Sequence, residues 1–149
     1  MGWNKIVEEA NRFVKKSPIN QLSPNQLNRL RTEFNEAKCL KKVTEFIDKQ
    51  TERDEKRGGA HWAKVGQTLK EQLTHLFKQR ENLKTEIIDF ADERHLPQLE
   101  TEIRYFFGKQ YENQREQFEL YLARKFFTAV YAICRCKKKE IKVKIEEVS

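Results

Sequence analysis

Apolar residues recur at intervals of three and four along most of this chain, which is the spacing of one face of an α-helix. The first run predicts a helix from Trp3 to about Lys15, ended by Ser17-Pro18. A second helix is predicted to begin at Ser23-Pro24-Asn25-Gln26. There the serine suits the N-cap, the proline suits the first turn, and the glutamine stands where a capping box needs it.

The second helix is predicted to continue to about Gln50, with a bend or short break near Ala37 to Cys39, where its apolar stripe drifts in phase. The charged stretch from Thr51 to Gly59 closes with two glycines and is predicted to be a mobile loop. From His61 the apolar positions again follow one line of an ideal helix, which predicts one long helix to about Glu93.

Pro97 interrupts this pattern, and a shorter helix is predicted from Leu99 to Phe107, stopped by Gly108. The last helix is predicted to run from Tyr111 to about Cys136. Its apolar residues cover most of the helix circumference, which predicts that it is the central and most buried element.

The residues after Cys136 change in character, because Ile141, Val143 and Ile145 alternate with lysines. A period of two predicts a short strand or an unpaired tail. The sequence therefore predicts an all-α fold with a long central C-terminal helix. It consists of a helical bundle domain of about five helices over residues 1–136 and a basic tail over residues 137–149.

Composition agrees with that fold and adds a net charge. Hydrophobic residues make up 38% of the chain and charged residues 36%, and 5 Gly and 3 Pro leave few turns for a many-stranded sheet. The formal net charge of +7 favours a polyanionic partner, nucleic acid before an anionic membrane surface. The alternative is a basic protein without such a partner.

The three cysteines, Cys39, Cys134 and Cys136, lack the spacing of a zinc site and are expected to be reduced thiols. No apolar run has the length of a signal-peptide core or of a membrane span. The expected location is therefore the cytoplasm.

Histidines and catalytic motifs give no sign of an enzyme. His61, His75 and His95 lie far apart, and each is expected at the surface or at a helix end. No nucleophile elbow, phosphate-binding loop or zinc-protease motif is present. Neither a catalytic residue, a metal nor a cofactor is expected.

Five cations are predicted to form one ridge on the second helix: Arg31, Lys38, Lys42, Lys49 and Arg53. On an ideal helix they fall within roughly 60° of one another, across from the apolar face, in a row about 33 Å long. Such a row can neutralise several nucleic-acid phosphates and release their counterions. The alternative is an ordinary solvated face with acidic neighbours such as Glu45 and Asp48.

Arg80 falls near the centre of the apolar stripe of the long helix, where a charge is costly without a partner. It either pairs with a carboxylate of a neighbouring helix or faces a partner subunit or an RNA backbone. More cations, some of which complement the helix dipole, mark the end of the last helix: Arg124, Lys125, Arg135, Lys137, Lys138 and Lys139.

Two segments carry a recognisable pattern: Leu22-Ser23-Pro24-Asn25-Gln26-Leu27-Asn28-Arg29, and Phe118 to Arg135, which contains Phe126-Phe127-Thr128-Ala129-Val130. Between them lies Leu76-Phe77-Lys78-Gln79-Arg80. In order and approximate spacing they resemble the small helical subunit of Csm-type (type III-A) CRISPR–Cas effector complexes. That family typically has Leu-Thr-Thr-Ser-x-Leu/Ile-Arg-Asn at a capped helix start and Phe-Phe-Glu-Ala-hydrophobic in its last helix. Here Asn28 replaces the arginine, with Arg29 one place later, and Thr128 replaces the glutamate.

The resemblance implies a helical bundle stacked in several copies along a ribonucleoprotein filament of antiviral defence. It implies contacts with the backbones of guide RNA and target RNA, partners among the other effector subunits, and no cleavage by this chain. The leading hypothesis is therefore a non-catalytic RNA-binding subunit. Its phosphate contacts are assigned to Arg29, Arg31, Lys38, Lys42, Lys49, Arg53, Arg80, Arg124 and Arg135.

Two other functions remain open from the sequence. One is a helical ribonuclease of the HEPN type, whose members resemble one another in an Arg-x4–6-His motif. Here Arg57 is one residue too close to His61, and Arg53 is too far from it. The other is a helical adaptor that binds only protein.

Overall fold

A computed structural model describes the backbone of residues 2–98 and 112–148 and the side chains of residues 5–98 and 115–137. Over those residues the chain forms helices and no strand, which confirms the all-α prediction. The elements are α1 Gly2–Lys16, a 3₁₀ helix Pro18–Gln21, α2 Pro24–Glu36, α3 Leu40–Lys56, α4 His61–Lys78, α5 Arg80–Glu93 and α6 Glu112–Val148. The predicted helix from Leu99 to Phe107 lies outside the described residues.

The start of α2 follows its sequence signal. The Ser23 hydroxyl oxygen accepts a hydrogen bond from the backbone N–H of Gln26 at 3.2 Å, and the Ser23 backbone N–H donates to Gln26 Oε1 at 2.8 Å. Pro24 occupies the first turn. This capping box satisfies two backbone donors that a helix start leaves without partners, and so fixes where α2 begins.

The predicted bend near Ala37 to Cys39 is a complete break between α2 and α3. Ala37 and Cys39 both have extended backbone, and helical geometry resumes at Leu40. The drift in the apolar stripe therefore located the break correctly. Because α3 packs chiefly on α4 and α2 chiefly on α6, the two halves of the predicted helix serve different parts of the core.

The predicted loop from Thr51 to Gly59 is wrong for most of its length, since α3 continues to Lys56. Thr51 to Lys56 holds neither Gly nor Pro, so nothing local ends the helix there. Asp54 Oδ2 accepts a hydrogen bond from the backbone N–H of Trp62 at 3.2 Å, which ties the end of α3 to the start of α4. The turn itself needs Gly58, whose φ of +79° suits glycine.

The predicted long helix from His61 to Glu93 is interrupted at Gln79. Arg80 Nη1 donates a hydrogen bond at 2.9 Å to the Phe77 carbonyl in the last turn of α4. The charge within the apolar stripe therefore coincides with the helix end, which no Gly or Pro marks.

Helix α6 packs against α1, α2 and α4 and is the most buried element between Phe118 and Cys134, as predicted. Its buried side chains cover most of the circumference: Phe118, Leu120, Tyr121, Leu122, Ala123, Phe126, Phe127, Val130 and Cys134. Phe126 meets Phe13 of α1 edge-on, with ring centroids 5.6 Å apart. Phe127 stacks on Phe34 of α2, with centroids 4.6 Å apart. These aromatic pairs fix α6 against both neighbours.

The short strand that was one of the two alternatives after Cys136 is wrong, because α6 stays helical to Val148. No Gly or Pro follows Gly108, so nothing stops a helix already nucleated in the core. Ile141 and Ile145 are also four residues apart, a spacing that suits a helix equally well. Within the described helices, no segment has the length and apolar character needed to cross a membrane.

Helices α3 and α4 leave no room for a side chain at Gly66, where a Cβ atom would lie 2.7 Å from Ile47 Cγ2. Ile47 is buried and has little space to move. We expect Gly66→Ala to destabilise the protein by about 1–2 kcal/mol, because overpacking strain exceeds the better helix propensity of alanine. Thermal denaturation followed by circular dichroism measures the effect. In an Ile47→Ala background the same substitution should cost nothing, and an equal cost in both backgrounds would contradict the contact.

Candidate nucleic-acid interface

The break between α2 and α3 divides the predicted cation ridge. Arg31 lies on α2, Lys38 lies in the connection, and Lys42, Lys49 and Arg53 lie on α3. The predicted continuous row of about 33 Å is therefore wrong, and the part carried by α3 spans about 16 Å at the rise of an α-helix. We call Lys38, Lys42, Lys49 and Arg53 the α3 row.

The α3 row keeps the outward direction that its spacing predicts. Lys42, Lys49 and Arg53 are separated by seven and four residues, which returns them to nearly the same face of the helix. All three side chains are exposed. The other face of α3 buries Val43 and Ile47 in the core. The helical part of the row thus lies on a helix whose apolar side is packed in the core.

Acidic side chains neutralise little of the α3 row. Lys42 Nζ lies 3.9 Å from Glu45 Oε2, an exposed pair of small energetic value. Among the residues with described side chains, no carboxylate lies within 4 Å of Lys38, Lys49 or Arg53. The expected pairing with Asp48 is absent because Asp48 accepts a hydrogen bond from Lys70 Nζ of α4 at 2.8 Å.

Arg31 lies away from that row and contacts α6. Its guanidinium carbon lies 4.4 Å from the centroid of the Tyr131 ring. Arg135, one turn further along α6, has its guanidinium carbon 5.8 Å from the same centroid. Arg31 Nη2 also donates a hydrogen bond to Asn28 Oδ1 at 2.7 Å. Two predicted contacts from distant parts of the sequence thus meet at one aromatic side chain, and we call Arg31, Tyr131 and Arg135 the tyrosine cluster.

Arg29 leaves α2 on a different side from Arg31, because two residues turn a helix by about 200°. Its guanidinium carbon lies 5.6 Å from the centroid of the Phe46 ring on α3, and its side chain is exposed. Arg29 is therefore a cation at the contact between α2 and α3.

Arg80 has the carboxylate partner that the sequence left as one of two alternatives. Its Nη1 lies 3.9 Å from Glu119 Oε1 of α6, and the two side chains are 25% and 16% exposed. Arg115 Nε lies 3.4 Å from the same carboxylate oxygen. Arg80 therefore joins the end of α4 to α6, and we assign it to this helix contact rather than to the interface.

Arg124 binds the protein's own backbone. Its Nε donates a hydrogen bond to the Phe34 carbonyl at 2.9 Å, and its Nη2 donates to the Ala37 carbonyl at 2.6 Å. Both acceptors lie where α2 ends, so the guanidinium satisfies carbonyls that the broken helix leaves free. We therefore assign Arg124 to the junction between α2 and α3, in place of its predicted RNA contact.

The remaining candidate groups are the histidines and the cysteines. Within the part of the chain that is described, no three His, Cys, Asp or Glu side chains come together in a way that could hold a metal ion. Cys134 is buried, whereas Cys136 is exposed. His75 Nε2 lies 2.9 Å from Gln79 Nε2 and 3.8 Å from a carboxylate oxygen of the buried Glu9.

The candidate interface thus consists of the α3 row, the tyrosine cluster and Arg29. The sequence identified every one of these residues except Tyr131, which counted only as part of the apolar pattern of the last helix. Its spacing of four from Arg135 was the available signal. Comparisons of the chain with protein-family models, with curated proteins and with solved structures found no match.

Proposed function

We propose that the protein is a non-catalytic RNA-binding subunit, the small helical subunit of a Csm-type CRISPR effector, which contacts guide and target RNA backbones without sequence specificity. The observation that carries the proposal is the α3 row, because its cations are exposed and Lys38, Lys49 and Arg53 have no described carboxylate within 4 Å. Cations without acidic partners bind polyanions by releasing condensed counterions. A cytoplasmic location, self-association along a filament and contact with other effector subunits belong to the same proposal.

Burial of the apolar helix faces favours nucleic acid over a membrane surface. A helix that binds in the lipid interface needs a free apolar face beside its cations. The apolar side of α3 is used in the core, where Val43 and Ile47 are buried. The large apolar side chains exposed among the described residues are Val7 of α1 and Leu96 after α5, which lie on different elements. Among the described residues, the α3 row therefore has no free apolar face beside it of the kind that membrane binding requires.

We expect Lys38/Lys42/Lys49→Ala to weaken binding of a mixed-sequence single-stranded RNA about 10- to 100-fold at roughly 0.1 M salt. The slope of log affinity against log salt should flatten by about 2, because three phosphate contacts are lost at about 0.7 each. The loss should be uniform across RNA sequences. Fluorescence anisotropy with labelled RNA at several salt concentrations measures both quantities.

A matched control removes the same charge elsewhere. Lys15, Lys64 and Lys78 are exposed on α1 and α4, and their triple replacement by alanine should reduce affinity far less. Equal losses of affinity in the two triple variants would show that net charge alone drives binding and would refute the assignment of the α3 row as the RNA contact. An unchanged affinity and salt slope in the Lys38/Lys42/Lys49 variant would do the same.

Two further measurements distinguish the proposal from its rivals. If the wild type cleaves RNA and His61→Ala does not, a ribonuclease of the HEPN type replaces the proposed subunit. If the wild type has no affinity for RNA, the protein-binding adaptor is favoured instead. Copurification of the protein with a discrete short RNA tests the effector assignment, since a guide RNA has a defined length whereas bulk cellular RNA does not.

A further inference from the structure

We propose that Arg31, Tyr131 and Arg135 form one phosphate-binding site, in which the tyrosine ring holds guanidinium groups from two helices at the same phosphate of an RNA backbone. This inference rests on the proposed function and names the residues of one contact. The tyrosine cluster differs from the α3 row, because both of its guanidinium groups lie against one aromatic ring.

The two guanidinium groups of the tyrosine cluster are close together without a counter-charge. With distances of 4.4 Å and 5.8 Å to one ring centroid, the guanidinium carbons of Arg31 and Arg135 lie no more than about 10 Å apart, which places two positive charges within roughly one Debye length of each other. No described carboxylate lies within 4 Å of either guanidinium. A negatively charged ligand beside both guanidinium groups would neutralise this local positive charge.

Hydrogen-bonding capacity identifies that ligand as a phosphate. A guanidinium has five N–H donors in one plane, and stacking over an aromatic ring leaves the edges of that plane available. Arg31 uses one Nη2 donor on Asn28 Oδ1 and its Nε is buried, which leaves the Nη1 donors for a ligand. Phosphate oxygens accept the paired N–H groups of an arginine edge, an arrangement that adds direction to the charge attraction.

Packing beneath the tyrosine cluster holds its geometry before any ligand binds. Phe34 lies three residues from Arg31 on α2, and Phe127 lies four residues from Tyr131 on α6. These two phenylalanines stack in the core, with centroids 4.6 Å apart and fully buried rings, so the helices are fixed one turn away from the cluster. A site fixed in advance loses little conformational entropy on binding.

Substitutions at the tyrosine cluster test the site with a labelled mixed-sequence single-stranded RNA. We expect Arg31→Gln and Arg135→Gln each to weaken affinity about fivefold at roughly 0.1 M salt. The double variant should lose less than the product of the single losses, because both side chains contact one phosphate. Tyr131→Leu should weaken binding without a change of charge, and Tyr131→Phe should bind as the wild type does because it keeps the ring.

Lys64→Gln is the matched control, since it removes one exposed charge from α4. If the wild type binds RNA and both arginine variants behave like Lys64→Gln, the site is overturned and the proposed function stands. Absence of RNA binding by the wild type overturns both. A labelled hexaglutamate peptide tests for an acidic protein partner. If the peptide binds the wild type but not the double arginine variant, and the double variant keeps the RNA affinity of the wild type, the cluster binds an acidic protein and the inference fails.

Discussion

Replacement of Arg124 by methionine is expected to destabilise the protein by about 2–4 kcal/mol, with no direct effect on RNA affinity. The two hydrogen bonds of its guanidinium, at 2.9 Å to the Phe34 carbonyl and 2.6 Å to the Ala37 carbonyl, would be lost. Hydrogen bonds to a charged donor contribute about 1.5–3 kcal/mol, and the partly buried carbonyls would be left without donors. For a chain of this size the midpoint of thermal unfolding should fall by about 4–16 °C.

Two variants on α6 control this prediction. Arg124→Lys keeps the charge but not the fork that reaches both carbonyls, so its loss of stability should be intermediate. Arg135→Met removes an exposed arginine of the same helix and should change the free energy of unfolding by less than about 0.5 kcal/mol. Urea unfolding followed by circular dichroism measures all three variants. A fully stable Arg124→Met protein with weakened RNA binding would return Arg124 to the interface.

Phe127→Ala is expected to have the largest effect on stability, about 3–5 kcal/mol. The Phe127 ring is 0% exposed and stacks on Phe34, so its removal leaves a cavity between α6 and α2. The same substitution removes the packing beneath the tyrosine cluster. RNA affinity should therefore fall even at temperatures where the variant is folded. Calorimetry gives the loss of stability, and anisotropy at low temperature gives the loss of affinity.

Phe127→Leu separates loss of volume from loss of the aromatic stack, and its cost should be smaller because the cavity is smaller. Val7→Ala serves as the surface control, since Val7 is 45% exposed, and it should cost less than about 0.5 kcal/mol. A loss below about 1 kcal/mol for Phe127→Ala would mean that α6 is not the centre of the core.

The sequence predicted those features of the fold that depend on residues close together in the chain. The capping box at Ser23 and the phase drift near Ala37 each depend on a few neighbouring residues, and both were confirmed. The end of α4 at Gln79 has no such signal, because it involves the contact of Arg80 with Glu119 on α6. The helical course of residues 137–148 was missed because a period of two over three apolar residues also fits a helix spaced by four.

In the candidate site, too, the sequence predicted what depends on neighbouring residues and missed what depends on contacts between distant residues. The outward direction of Lys42, Lys49 and Arg53 follows from helical spacing alone, so the sequence predicted it. The role of Arg124 depends on two carbonyls about ninety residues away in the chain, which no sequence pattern reveals. Tyr131 was missed for a related reason, because its importance comes from Arg31 on another helix.

The long-range bonds of Arg124 also have a consequence for how the chain folds as it is made. The junction between α2 and α3 leaves the ribosome early, but Arg124, whose guanidinium binds the carbonyls at this junction, lies 90 residues after Phe34. Because translation proceeds from the N terminus at about 5–20 residues per second, α2 and α3 wait several seconds for α6. The end of α2 therefore keeps free carbonyls until the last helix docks, and the proposed RNA-binding surface is complete only at that stage.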